Sequence, residues 1–133
     1  MKKIAVIDDD INMRKLIKSA LENSDKSLAV ITFYDNIELI SILKENFFDV
    51  LIIDYMMPNI DGLELIMHYS DIYQKAPIIL ITAYPEVEQV EVLKENRHSL
   101  NITIMTKPFD IDLLTANVKN LLNHCSVTGS ENS

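Results

Sequence analysis

Polar residues that can do chemistry stand at the ends of four short apolar runs in the sequence. Three consecutive acids, Asp8 to Asp10, close the first run, and Asp54 closes the run 50–53. Thr82 and Lys107 end two later runs. Clustered carboxylates repel one another unless a cation neutralises them, and an all-oxygen set without histidine or cysteine suits a hard ion such as Mg²⁺. The pattern therefore predicts a magnesium site.

A divalent cation, an ammonium and a hydroxyl around one carboxylate suit phosphoryl transfer. Lys107 and Thr82 would stabilise the equatorial oxygens of the transferring group, which leaves a carboxylate as the nucleophile. Asp54 follows four apolar residues, where a carboxylate loses most of its hydration, so we interpret it as the functional acid. Asp10 is interpreted as a helix cap. The set predicts phosphoryl transfer onto aspartate.

The elements that must position these residues are five short apolar runs separated by segments of helical spacing. Runs such as 50–53 and 78–81 are apolar without alternation, which is typical of strands buried on both faces of a parallel sheet. Ligands of such sheets bind beyond the carboxyl ends of the strands, near the switch in strand order. The prediction is a doubly wound α/β fold with a five-stranded parallel sheet. The predicted strands are 3–8, 28–34, 49–54, 77–82 and 101–106.

Three apolar stripes and several caps predict the helices. The stripes are Leu16, Ile17, Ala20 and Leu21, then Leu63, Ile66 and Met67, then Ile111, Leu114, Val118, Leu121 and Leu122. The predicted N-caps are Asp35 or Asn36, Asp61 and Asp110, with Pro85 in a first helical turn. A length of 133 residues indicates one domain, taken as residues 1–125, with 126–133 as a polar tail or the start of a linker.

Composition excludes several classes of function. The net charge of −8 has the wrong sign for holding nucleic acid or an anionic membrane, so we expect neither partner. One cysteine excludes disulfide scaffolds and thiolate metal sites, which favours the cytoplasm. Two glycines cannot form a GxGxxG fingerprint or a P-loop. No run approaches the roughly 20 apolar residues of a membrane span.

The sequence resembles the receiver domain of two-component response regulators from Lys3 to about Leu122. Four motifs carry the resemblance, in the family's order and at its approximate spacing. They are Ile7-Asp8-Asp9-Asp10 with Arg14, Ile53-Asp54-Tyr55-Met56-Met57-Pro58-Asn59-Ile60-Asp61-Gly62, Ile81-Thr82-Ala83-Tyr84 and Thr106-Lys107-Pro108-Phe109. The motifs at Thr82 and Lys107 are similar to those of sporulation-phosphorelay receivers and of enhancer-binding activators.

The resemblance implies the flavodoxin-like strand order 2-1-3-4-5, and it implies a role for each site residue. Asp54 is the phosphoacceptor, and Mg²⁺ is bound by Asp9, Asp54 and the backbone carbonyl of Met56. Asp8 orients the ion through water. Lys107 pairs with Asp54 or its phosphate, the bond between Lys107 and Pro108 is cis, and Thr82 moves toward the phosphoryl oxygen.

The resemblance also implies partners. The phosphoryl group comes from a sensor histidine kinase or a histidine phosphotransfer protein. The signal passes to a downstream output protein or a C-terminal effector domain, and a phosphorylation-dependent dimer is a further expectation. The chain is then a signalling module that catalyses only its own phosphorylation and dephosphorylation, not an enzyme acting on a metabolite.

Two departures from the family pattern bear on the output. The position three before Lys107 is usually an aromatic switch residue, and here it is Ile104, which weakens the case for aromatic signalling. The customary Gly-Ala before the fifth strand is replaced by Arg97-His98-Ser99-Leu100.

Two other functions remain open at this point. Asp8 and Asp10 match the DxD pattern of haloacid-dehalogenase-type phosphohydrolases. The chain could also be a phosphorylation-independent binding module on a receiver fold, although the retained site residues argue against it.

Overall fold

The fold is a five-stranded parallel sheet with helices packed against it. The computed structural model describes residues 1–34, 48–55, 76–83 and 101–132. The strands are β1 (Lys2–Ile7), β2 (Leu28–Phe33), β3 (Val50–Asp54), β4 (Ile78–Thr82) and β5 (Ile102–Thr106), and the described helices are α1 (Ile11–Ser24) and α2 (Ile111–Asn132). The order β2-β1-β3-β4-β5 confirms the predicted doubly wound topology.

The apolar runs form strands because parallel sheets of this kind are buried on both faces. Every residue of β3 and β4 is buried, including the polar residue at the end of each. One face of the sheet packs with Ile17 and Leu21 of α1 and with Leu114 and Val118 of α2 in a single apolar cluster. Full burial of each such side chain stabilises the fold by about 1.5–3 kcal/mol.

The predicted strands differ from the observed ones by at most one residue at either end. Pro77 precedes β4 because proline has no N–H for the ladder. Asn101 precedes β5 because its backbone is left-handed, with φ of 51°. Asp8 lies just after β1, where its N–H donates to the carbonyl of Phe33 over 3.2 Å.

Helix α1 begins at the predicted cap. The carboxylate of Asp10 accepts the N–H of Asn12 over 2.9 Å, and its carbonyl accepts the N–H of Arg14. Of the predicted stripe, Ile17 and Leu21 are buried and Ala20 is half-buried. The assignment of Leu16 to the buried stripe is wrong, because its side chain is 51% exposed. The buried face of α1 is narrower than the sequence predicts.

Helix α2 confirms its predicted stripe and cap. Asp110 accepts the N–H of Asp112 over 2.8 Å. Leu114 and Val118 are buried, and the other three stripe residues pack partly buried against the core. Residues 126–132 continue α2, whereas the sequence indicates a polar tail there. The stripe at 63–67, the caps at 35–36 and 61, and Pro85 lie outside the described residues.

Candidate functional site

Four adjacent strands bring their carboxyl ends to one edge of the sheet. β1 and β3 are neighbours at the switch in strand order, where β2 lies on one side of β1 and β3 to β5 on the other. The register pairs Ile7 with Ile53, so Asp8 and Asp54 follow the same rung of the ladder. Thr82 and Thr106 pair across β4 and β5. The sheet therefore gathers every predicted side chain of the site that lies within the described residues.

Three carboxylates form the centre of the site. One ligand oxygen from each of Asp8, Asp9 and Asp54 lies within 4.8 Å of the other two. Asp8 is 2% exposed and Asp54 is 5% exposed, whereas Asp9 is exposed to solvent. Two nearly dehydrated carboxylates beside a third repel one another strongly, because the surrounding protein screens charge poorly.

The environment of Asp8 favours the protonated form of its carboxyl group up to an unusually high pH. Burial raises the pKa of Asp8 from 3.8 to about 6, and the nearby charges of Asp54 and Asp9 favour the same direction. The N–H of Asp10, which donates to Asp8 Oδ1 over 2.8 Å, and the ammonium of Lys107 oppose this rise. Protonation of Asp8 relieves the repulsion in the absence of a cation.

Lys107 supplies the positive charge that the sequence predicts. Its Nζ lies 3.3 Å from Asp54 Oδ2. β5 is two strands away from β3, about 10 Å at the usual strand spacing, so the long lysine side chain reaches across the end of β4. The N–H of Lys107 donates to the carbonyl of Thr82 over 2.7 Å, which fixes the main chain from which the lysine side chain extends. The predicted cis bond between Lys107 and Pro108 is confirmed.

The residues of this site fit a hard divalent cation. Mg²⁺ prefers oxygen ligands at about 2.0–2.1 Å in an octahedron, which places neighbouring ligand oxygens about 3 Å apart and opposite ones about 4 Å apart. The three carboxylates offer oxygens within 4.8 Å of one another, close enough for side-chain rotation to bring them onto one ion. The predicted ligand carbonyl of Met56 lies outside the described residues.

Thr82 lies on β4, the strand next to that of Asp54, and Ile104 lies one strand further away on β5. Thr82 is 1% exposed at the end of β4. Ile104 is half-buried in β5, where it pairs with Leu80 in register. The aliphatic side chain of Ile104 cannot provide a ring flip, and the neighbouring segment 84–100 lies outside the described residues.

Sequence reasoning missed two features next to the site. Arg14 Nη1 donates to the backbone carbonyl of Asp8 over 2.5 Å, and its guanidinium lies 5.7 Å from the ring centroid of Tyr34. A cavity of about 400 Å³ opens beside Lys107, lined by Met13, Leu16, Lys107, Pro108, Phe109 and Ile111. Both features depend on contacts between distant segments, and the spacing of Arg14 and Leu16 in the sequence did not indicate them.

Fold and site together define an α/β protein that presents an acidic, lysine-paired centre at the switch point of a doubly wound sheet. The family model described as the response regulator receiver domain matches residues 4–119. The chain belongs to this family and is a receiver domain of the two-component response regulators. The identification from the sequence motifs is confirmed.

Relatives and solved structures agree with this assignment. The chain is 30% identical over 120 residues to the DNA-binding transcriptional regulator NtrC of Escherichia coli (strain K12), covering 90% of this chain and 24% of that protein. It is 29% identical over 126 residues to the response regulator ArlR of Staphylococcus saprophyticus, covering 92% of this chain and 53% of that protein. It thus spans about a quarter of NtrC and about half of ArlR.

A solved structure shares the whole architecture. The response regulator TrrA from Thermotoga maritima, in complex with Mg(2+)-BeF, superposes with a TM-score of 0.76 at 30% identity, covering 92% of this chain and all of that one. Among the described residues, no helix is long and apolar enough to cross a membrane. The family match leaves the haloacid dehalogenase alternative without support, and Asp10, which that alternative needs, caps α1.

We expect Asp8→Asn to stabilise the metal-free protein at pH 8, because it removes a buried charge from the cluster. A carboxyl group whose pKa is raised in the folded state contributes stability at pH values below its pKa in the unfolded state. This contribution is lost as the pH rises through about 6, the pKa of Asp8 in the folded state. The gain should be on the order of 5 °C in melting temperature at pH 8 and should shrink near pH 4. Differential scanning calorimetry with chelator measures both.

The matched control is Asp49→Asn at the opposite edge of the sheet. Asp49 is partly exposed, and its carboxylate accepts the N–H of Lys3 over 2.7 Å. This variant should leave the melting temperature unchanged or lower it. A loss of stability in Asp8→Asn that is equal at both pH values would contradict the repulsion.

Proposed function

We propose that the chain takes a phosphoryl group onto Asp54 from a phosphohistidine, with Mg²⁺ bound by Asp8, Asp9 and Asp54. The observation that supports this most is the buried carboxylate of Asp54, which contacts Lys107 and lies beside two further carboxylates. Membership of the receiver family and the likeness to the Mg(2+)-BeF complex of TrrA support the same proposal.

The chemistry is a displacement at phosphorus. A carboxylate oxygen of Asp54 attacks the phosphorus of the donor and the P–N bond to histidine breaks, and the departing imidazole nitrogen keeps the electron pair of that bond and takes a proton from solvent. A bound Mg²⁺ would neutralise charge on the phosphoryl oxygens. Lys107 shifts its contact from Asp54 Oδ2 to a phosphoryl oxygen, and the hydroxyl of Thr82 donates to another. Water hydrolyses the acyl phosphate later and resets the site.

The phosphodonor must cover the rim of the site, because its histidine has to reach Asp54. The described part of this rim is apolar on the side of α1 and the start of α2. Leu16 and Ile11 of α1 and Leu113 of α2 are each about half exposed, and Leu16 also lines the cavity at Phe109 and Pro108. We therefore assign this surface, hereafter the α1–α2 rim, to a histidine kinase or a histidine phosphotransfer protein.

The output is a shift between two arrangements of the site. Phosphorylation adds negative charge at Asp54 and redirects Lys107, which is tied through its N–H to the carbonyl of Thr82. In this proposal the change at Lys107 and Thr82 alters the surface formed by the residues after Thr82, where an output protein or a C-terminal effector domain would bind. The partial coverage of NtrC and ArlR is compatible with an effector domain in the same polypeptide.

Incubation with Mg²⁺ and acetyl phosphate should add one phosphoryl group to the intact protein. Asp54→Asn should abolish this addition, because an amide is a poor nucleophile. Intact mass spectrometry measures it, with Asp49→Asn as the control that keeps full labelling. Full labelling of Asp54→Asn would place the phosphoacceptor at another residue, and no labelling of the unmodified chain would support a phosphorylation-independent binding module instead.

Lys107→Ala should still accept phosphate but fail to transmit it, since the ammonium reads the phosphoryl charge rather than attacking phosphorus. Hydrogen exchange with and without beryllofluoride measures the transmission. The unmodified chain should change protection between residues 83 and 107, and Lys107→Ala should not. Lys119→Ala, an exposed lysine of α2, is the control. Identical changes in both lysine variants would contradict the role of Lys107.

Leu16→Asp should slow phosphotransfer from a phosphorylated histidine kinase domain by about tenfold, the effect of losing roughly 1.4 kcal/mol at an interface. The rate from acetyl phosphate tests the site without a docked protein, so the ratio of the two rates is the readout. Ile31→Asp, at an exposed apolar residue of the edge strand β2, is the control. An unchanged ratio in Leu16→Asp would remove the α1–α2 rim from the docking surface.

A further inference from the structure

Two hydrogen bonds hold the main chain at Asp8, one to each of the two peptide groups that flank its Cα atom. The N–H of Asp8 donates to the carbonyl of Phe33 at the end of β2 over 3.2 Å. The carbonyl of Asp8 accepts Arg14 Nη1 over 2.5 Å. Both partners lie outside the turn itself, so the main chain at Asp8 is anchored to β2 and to α1 together.

This anchoring matters because the orientation of a peptide plane determines the directions of the side chains on both sides of it. The carbonyl of Asp8 and the N–H of Asp9 belong to the same planar unit. Its orientation fixes ψ of Asp8 and φ of Asp9, and hence the directions in which their Cβ atoms leave the main chain. A hydrogen bond to this carbonyl therefore controls the relative placement of the two carboxylates.

Arg14 is itself held in place. Its N–H closes the first turn of α1 on the carbonyl of Asp10 over 3.1 Å. Its guanidinium lies over the ring of Tyr34, with 5.7 Å from Cζ to the ring centroid. A planar cation stacked on an aromatic face keeps a fixed direction for its N–H donors, which a lysine ammonium does not provide.

We propose that Arg14, steadied by Tyr34, is a positioning residue that holds the Asp8–Asp9 peptide in the arrangement that binds Mg²⁺. The inference rests on the proposed magnesium site. The expected effect of removing Arg14 is opposite to that of simple electrostatics. A guanidinium near a cation site repels the ion, so if charge alone mattered, removing the guanidinium would tighten Mg²⁺ binding. Loss of positioning weakens binding instead.

The test is the Mg²⁺ dissociation constant of the full chain, measured by the shifts of the Asp9 and Asp10 amide signals in an NMR titration with MgCl₂. Arg14→Gln should weaken binding by about tenfold, the usual effect of removing a group that orients a metal ligand. Arg14→Lys should recover part of the loss. Tyr34→Leu should weaken binding several-fold, and Tyr34→Phe, which keeps the ring, should match the unmodified chain.

A second readout separates positioning from a general loss of structure. In labelling with acetyl phosphate, Arg14→Gln should raise the Mg²⁺ concentration for half-maximal rate by the same factor. The rate at saturating Mg²⁺ should stay within about twofold of the unmodified chain. A merely structural defect would lower the saturated rate and leave the half-maximal concentration unchanged, which would overturn the inference.

The measurements distinguish failure of the positioning role of Arg14 from failure of the proposed function. If the unmodified chain binds no Mg²⁺, the proposed function fails together with this inference. If it binds Mg²⁺ and Arg14→Gln binds equally or more tightly, only the positioning role is overturned. If Arg14→Gln does not fold, Arg14→Lys and the two Tyr34 variants decide, and equal affinities of Tyr34→Leu and Tyr34→Phe overturn the role.

Discussion

Two almost dehydrated carboxylates, Asp8 and Asp54, stand side by side at the edge of the sheet with Asp9 next to them. Their mutual repulsion is the constraint on which the site depends. It persists because the main chain around them is fixed by strands whose apolar residues are fully buried, so the carboxylates cannot move apart without breaking the sheet. A fold that concentrates negative charge in this way is poised to take up a cation and, with it, a phosphoryl group.

Lys107 resolves part of the repulsion and connects the centre to its surroundings. Its ammonium contacts Asp54, and its N–H is bonded to Thr82 on the intervening strand. A change of charge on Asp54 therefore reaches β4 and β5 through one side chain and one main-chain bond. In the proposed function this connection would allow the site a second arrangement after phosphorylation, which is the requirement for a switch whose equilibrium a covalent modification can bias.

Much of the fold and of the centre could be predicted from the sequence, because both depend on local patterns. Unbroken apolar runs predict buried parallel strands, and the rule that carboxyl ends meet at one edge brings Asp54, Thr82 and Lys107 together. The strand ends shifted by a residue where a local backbone property decided, as at Pro77 and Asn101. The structure adds the difference in burial among the three acids, since Asp8 and Asp54 are buried and Asp9 is exposed.

Other features depend on contacts between distant segments and could not be predicted. Leu16 fits the apolar period of α1, but the width of the buried face is set by the packing of α1 on the sheet and on α2, which leaves Leu16 at the α1–α2 rim. The contact of Arg14 with Tyr34 joins residues 20 positions apart, and it requires the end of β2 to meet the first turn of α1. Neither arrangement has a signature in sequence spacing alone.

The most direct test of the shared carboxylate centre is a crystal of the metal-free chain soaked in MnCl₂ and measured at an energy where manganese scatters anomalously. Manganese prefers the same oxygen ligands as magnesium. The account predicts a strong anomalous peak at coordination distance, about 2 Å, from carboxylate oxygens of Asp9 and Asp54, with Asp8 beside it. An ordered edge without such a peak, at a concentration of MnCl₂ that fills other sites, would contradict it.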